Sequence, residues 1–347
     1  MRLAAAVMVL VSANAARANS ISEEVLFNSA QTTQSNPRAK LLTNALNGFF
    51  ELTEDVGVGL GANVTFEGPT PGQFGGSGGV VTLFTLSSDW AVTDNLTLGA
   101  GANLSPASTQ YAGTVIGLRS GGTDTFADAQ LRSQSSQAGG GFSLAWDTLG
   151  KSDLEWSFDA SIDFSHYDVD QEISQVQTSL TPTQVRTQAA AFCTAHPRRP
   201  ECARGLQGAV ALDFERFSGA VLATIFTDTD VSLSADWYLY NEDPAAIGFF
   251  GVASQGRGPG LPIAPLQYLL RPEVMHRFGE FSARLFLEGG EYVSGTGGTT
   301  FGAGVRLQYR FTKAWRAWLT LSGHRDVDVN DNTIPSGTVS AGAGYRW

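Results

Sequence analysis

The chain has 347 residues, 42% of them hydrophobic and only 16% charged, with a formal net charge of −11. An acidic chain has no counterion-release drive toward a phosphate backbone, which argues against nucleic acid as a partner. Charge is low beside the about 25% usual in soluble proteins, yet past the leader no apolar run is long enough to cross a bilayer as a helix.

Met1-Arg2 is a short positive start, Leu3 to Val11 is apolar, and Ala13-Asn14-Ala15 and Ala16-Arg17-Ala18 are small-x-small cleavage sites. This pattern predicts a secretory signal peptide over residues 1–18, too short to span a membrane. Residues 19–347 remain as one folded domain. Residues 20–52 admit two readings. Glu23 to Ala30 and Leu41 to Leu52 make two strands, the second with Leu42, Leu46, Gly48, Phe50 and Leu52 on one face. Leu41, Leu42, Ala45, Leu46, Phe49 and Phe50 also fit a helical period after Asn36-Pro37, which would make the segment a plug. The strand reading is preferred because Phe49 to Leu52 runs straight into a turn.

From Val56 the alternation is clean. Val56, Val58, Leu60, Ala62, Val64 and Phe66 are apolar, and small or polar residues stand between them. Paired runs follow over 80–90 and 96–104, 138–146 and 154–164, 217–226 and 231–240, 266–278 and 281–293, and 301–311 and 315–327. Each pair is joined by a short turn rich in Asp, Asn, Gly or Thr, which is hairpin chemistry. The other connections, over 67–78, 106–137, 166–214, 241–263, 294–299 and 328–335, are mostly long and rich in Gly, Ser, Pro and Gln. Short turns at one end and long loops at the other are the polarity of a membrane β-barrel. Aromatics at strand ends (Phe50, Trp90, Trp146, Trp237, Tyr309, Phe311, Trp315, Trp347) suit interfacial girdles.

The two cysteines, Cys193 and Cys202, lie in the longest loop, 166–214. Pro182 to Phe192 reads as a helix, broken at His196-Pro197, and a Cys193–Cys202 disulfide would staple the turn in an oxidising compartment. Two Cys with His196 fall short of a structural zinc set.

Strand parity assigns an inward face. Its charged members in the middle of the chain are Asp147, Glu155, Asp159, Asp163 and Asp236, an acidic wall. In the last third they are Arg271, Arg277, Arg284, Glu288, Arg306, Arg310, Arg316 and Arg346, an arginine wall. These are the pore-lining candidates. An open lumen would carry a field between the two arcs; a narrow one would need nearly complete ion pairing. The four histidines, His166, His196, His276 and His324, belong to no Gly-x-Ser-x-Gly or His-Glu-x-x-His motif. The run Asp326 to Asn332 alternates carboxylates as calcium loops do but lacks the glycine and distal glutamate of an EF-hand. The sequence therefore calls for no metal, no cofactor and no catalytic residue.

At the C-terminus, Val339, Ala341, Ala343, Tyr345 and Trp347 share one face of a strand, and Thr338, Ser340, Gly342, Gly344 and Arg346 the other. Ser340, Gly342, Tyr345 and Trp347 resemble the C-terminal assembly signal of bacterial outer-membrane β-barrels. The resemblance covers the last strand and implies export, the barrel-assembly machinery and outer-membrane lipid as partners, and the outer membrane of a Gram-negative bacterium as location. The expected fold is an antiparallel up-and-down transmembrane β-barrel of about fourteen strands, or about twelve with an N-terminal plug. The expected function is a channel or passive transporter for small solutes. The alternatives are a closed barrel presenting its loops and an outer-membrane lipid-modifying enzyme.

Overall fold

The computed structural model describes residues 19–31, 38–68, 78–148, 155–196, 210–241, 266–292, 298–327 and 333–347. The strands are β1 (Ser20–Gln31), β2 (Arg38–Glu51), β3 (Val56–Glu67), β4 (Gly78–Thr93), β5 (Leu96–Ser120), β6 (Thr123–Asp147), β7 (Glu155–Val176), β8 (Val210–Phe226), β9 (Thr229–Tyr240), β10 (Leu266–Phe278), β11 (Phe281–Tyr292), β12 (Thr299–Arg310), β13 (Trp315–Val327) and β14 (Thr333–Arg346). A helix, α1 (Pro182–Ala195), lies between β7 and β8. Each strand pairs antiparallel with its neighbours in sequence, and β1 pairs with β14, so the fourteen close into a barrel. Closure satisfies every strand edge within the sheet, which hydrocarbon requires.

The N-terminal segment is sheet and not a plug. β1 is the partner that β14 needs, in register from Ser20↔Arg346 to Ala30↔Ser336. The backbone N–H of Trp347 donates to the carbonyl of Asn19 at 3.0 Å and completes the seam. On the outer face Leu42, Leu46, Leu60, Phe84, Leu86, Phe142, Ile162, Leu285, Leu321 and Val339 are exposed, because their solvent is lipid.

Four of the short turns share one device. Thr53 Oγ1 accepts from the N–H of Asp55 and Val56, and Thr93 Oγ1 from those of Asn95 and Leu96. Thr227 Oγ1 accepts from Thr229 N–H, and Thr312 Oγ1 from Ala314 and Trp315. A hydroxyl that caps the chain two or three residues on holds the reversal without a long loop.

Two expected loops are largely strand. The 106–137 connection continues β5 and β6, each 25 residues long, and turns at Gly121-Gly122 with φ of +57° and +85°. Two positive φ values in succession make the hairpin turn that only glycine adopts freely. The 166–214 connection shortens likewise, since β7 reaches Val176 and β8 starts at Val210. Beyond the bilayer no lipid demands an apolar outer face, so the alternation fades while the backbone pairing persists.

α1 begins at a capping box. Thr181 Oγ1 accepts from Gln184 N–H at 3.3 Å, and Gln184 Oε1 accepts from Thr181 N–H at 2.9 Å. Val185 and Ala189 bury against Ile116, Leu118, Ala129 and Leu131. Ala129 and Leu131 continue the inner-face parity of β6, whereas Gly117, Asp124 and Phe126, which meet the end of the helix, lie on the opposite parity, so α1 contacts residues of both faces of the extended hairpin. Phe192 is fully buried against Gly117, where a Cβ would come within 2.3 Å of its ring. His196 Nε2 lies 2.8 Å from Asp124 Oδ2, and Arg119 Nη1 2.9 Å from Asp124 Oδ1, which ties the helix end to the hairpin tip. The signal peptide, Cys202, the 150–153 turn and Asp328 to Asn332 lie outside the described residues; Cys193 is not a free thiol.

Candidate lumen site

The polar parity of each strand points away from lipid, and there several of the charges pair, within a strand or between strands. Asp159 is 6% exposed and Asp163 is half-buried. Within their arc sits Arg216, 2% exposed, a cation that the sequence reading passed over because β8 was expected to begin at Phe217. Its guanidinium lies 5.5 Å from the Tyr167 ring and 5.7 Å from the Tyr238 ring, and Nη2 reaches Ser165 Oγ at 3.4 Å. Arg216 also acts electrostatically on Asp163. The middle of the chain is therefore not a purely acidic wall. A desolvated carboxylate needs a nearby cation, and parity counted from residue 210 would have found this one.

The arginine arc is mixed as well. Arg271 Nε lies 3.3 Å from Glu273 Oε2, and Arg284 Nη1 3.0 Å from Glu273 Oε1. Arg306 Nη2 lies 3.9 Å from Glu24 Oε2, across the strands from the far end of the chain, and Glu24 Oε1 accepts the Ser340 hydroxyl. Arg277 pairs with buried Asp230 through both amino groups. Arg310, at the short-turn end, donates through Nε to Glu280 at 2.6 Å, which holds the Glu280 carboxyl below the usual carboxylate range. Glu288 is 1% exposed, with Oε1 2.8 Å from His324 Nδ1; His324 Nε2 is 3.3 Å from Ser322 Oγ.

Aromatic faces back several of these cations. Arg271 sits 3.9 Å above Phe286, and Arg306 and Arg316 lie 4.9 and 5.9 Å from the Trp318 ring. Trp318 is 8% exposed, and Gly342 leaves it room, since a Cβ there would come within 2.4 Å of the indole. Asp147 and Glu155 stand at the short-turn ends of β6 and β7, Asp236 within β9, and Arg346 at the end of β14.

The histidines do not converge. His166 meets Asp168 at 3.3 Å, His276 meets Thr229 Oγ1 at 2.7 Å near a short turn, and His196 and His324 are placed as above. Among the described residues no group of three or more His, Cys, Asp and Glu is arranged to hold a metal. At the short-turn rim, Tyr345 stacks on Trp347 at 5.7 Å and lies 4.8 Å from Trp315.

No protein-family model matches the sequence, and no curated protein matches it. Among solved structures, the fold is shared with the CymD monoaromatic hydrocarbon channel at 11% identity, over 95% of this chain and 89% of that one, with a TM-score of 0.55. It is shared also with a Pseudomonas aeruginosa FadL homologue at 12% identity, over 94% and 89%, with a TM-score of 0.53. Closed antiparallel sheet, lipid-facing apolar side and aromatic rim agree with these neighbours: the chain has the fold of an outer-membrane β-barrel.

Proposed function

We propose that the protein is a channel that lets small solutes cross the outer membrane passively. The observation that carries the reading is the closed fourteen-strand barrel, and the charged side chains that strand parity assigns to its inner face support it. The barrels it resembles in fold include a monoaromatic hydrocarbon channel, which favours transport over surface display or lipid chemistry. In this reading residues 1–18 direct export, and Ser340, Gly342, Tyr345 and Trp347 engage the barrel-assembly machinery. A Cys193–Cys202 bridge braces the segment after α1. Solutes enter past α1, cross the charged arcs lined by Asp147, Glu155, Asp159, Asp163, Asp236, Arg271, Arg277, Arg284, Glu288, Arg306, Arg310, Arg316 and Arg346, and leave at the short-turn end, which in such barrels faces the periplasm.

The test is conductance of the refolded chain in a planar bilayer. Steady unitary currents with a preference for anions are expected, and Arg306→Glu with Arg316→Glu should reverse that preference by inverting the local field. A folded, heat-modifiable protein that passes no current would overturn the reading.

A further inference from the structure

We propose that the inner face formed by β11 to β14 holds a small organic carboxylate, seated on Arg306 and Arg316 beside Trp318. The argument begins with charge. Arg271, Arg284 and Arg316 lie within electrostatic range of Arg306, whereas the only carboxylates paired with this group among the described residues are Glu273 and Glu24. Glu273 already serves both Arg271 and Arg284. Glu24 approaches Arg306 only to 3.9 Å, beyond hydrogen-bond reach, and its other oxygen takes the Ser340 hydroxyl.

Arg306 thus donates no hydrogen bond among the described residues, although its side chain is only 27% exposed. Arg316 makes no ion pair among the described residues. Trp318 adds a third donor, an indole N–H that is buried without a partner. A half-buried cation with unused donors is costly to maintain unless a ligand completes it. The guanidinium presents a planar fork that a carboxylate matches with two parallel hydrogen bonds.

The surroundings point to an organic acid over a bare ion. Phe286 lies under Arg271 at 3.9 Å, and Trp318 lies between Arg306 and Arg316. Gly304 and Gly342 let those rings lie flat against the wall, for a Cβ at either would come within 2.2 and 2.4 Å of them. A flat apolar body carrying one carboxylate meets both features.

The proposal rests on the channel reading, because the ligand must reach the lumen. Benzoate, benzamide and inorganic phosphate are titrated into the refolded full-length protein while tryptophan fluorescence is followed. Trp318→Phe identifies the signal that belongs to the site. Saturable quenching by benzoate is expected, with affinity lost by about tenfold in Arg306→Gln and Arg316→Gln, and by less in Arg306→Lys, which keeps charge but not the fork. Circular dichroism and heat-modifiability confirm that each variant is folded. Benzamide or phosphate binding as tightly as benzoate, or no saturable change with benzoate, would overturn the proposal. Conductance of the same samples separates the two readings: binding without current counts against the channel alone, and current without binding against this site alone.

Discussion

The buried His324–Glu288 contact is the clearest case in which one residue's identity depends on another strand. Glu288 is removed from water by the wall, and His324 approaches it only because β12 carries Gly302 between them, where a Cβ would come within 2.2 Å of Nδ1. Removing His324 leaves a desolvated carboxylate without this partner. His324→Ala should therefore destabilise the barrel by about 1–3 kcal/mol, read as a lower urea midpoint in detergent. An unchanged midpoint would mean that Glu288 is satisfied by other groups. Strand parity put Glu288 among the inward candidates. Its partner was not, because His324 was weighed for chemistry and not for packing. Arg216 escaped for a related reason: its strand begins earlier than its hydropathy shows.

At the scale of elements, the extended β5–β6 hairpin and α1 form a unit that stands apart from the lipid-spanning wall. Its core is Ile116, Leu118, Ala129, Leu131, Val185 and Ala189, with Phe192 closing the end of the helix. Phe192→Ala should cost this unit about 3–5 kcal/mol and leave the barrel itself heat-modifiable. Limited proteolysis between β7 and β8 would then speed up while the protected barrel core persists. If the barrel core is cut at the same rate, the two are coupled. The helix was legible from Pro182 and the alanine run after it. The hairpin was not, since Ser, Gln and Thr on both faces read as loop once no lipid selects one face.

The whole molecule depends on a seam between the two ends of the chain. Tyr345 packs against Trp315 and Trp347 on the outer rim, while Ser340 and Gly342 of the same strand face Glu24 and Trp318 inside. Tyr345→Ala removes both ring contacts and should lower stability by roughly 1–3 kcal/mol. The loss should show as a reduced urea midpoint, and as less folded barrel on an unheated gel. A variant as stable as the parent would mean that these ring contacts add nothing to the finished wall.

The last strand thus answers to two sets of constraints, and they differ in how far they reach along the chain. Period-two alternation, turn residues and a terminal aromatic are local properties, so the amino-acid sequence by itself determined the barrel, its lipid face and its fourteen strands. Which charges meet was decided only by tertiary structure. Glu24 faces Arg306, and Asp230 faces Arg277, because closure and register bring together residues that no local pattern relates. The same holds for the length of the outer hairpin and the docking of α1. Both depend on backbone pairing and burial beyond the membrane, where no solvent boundary writes a repeating signal into the sequence.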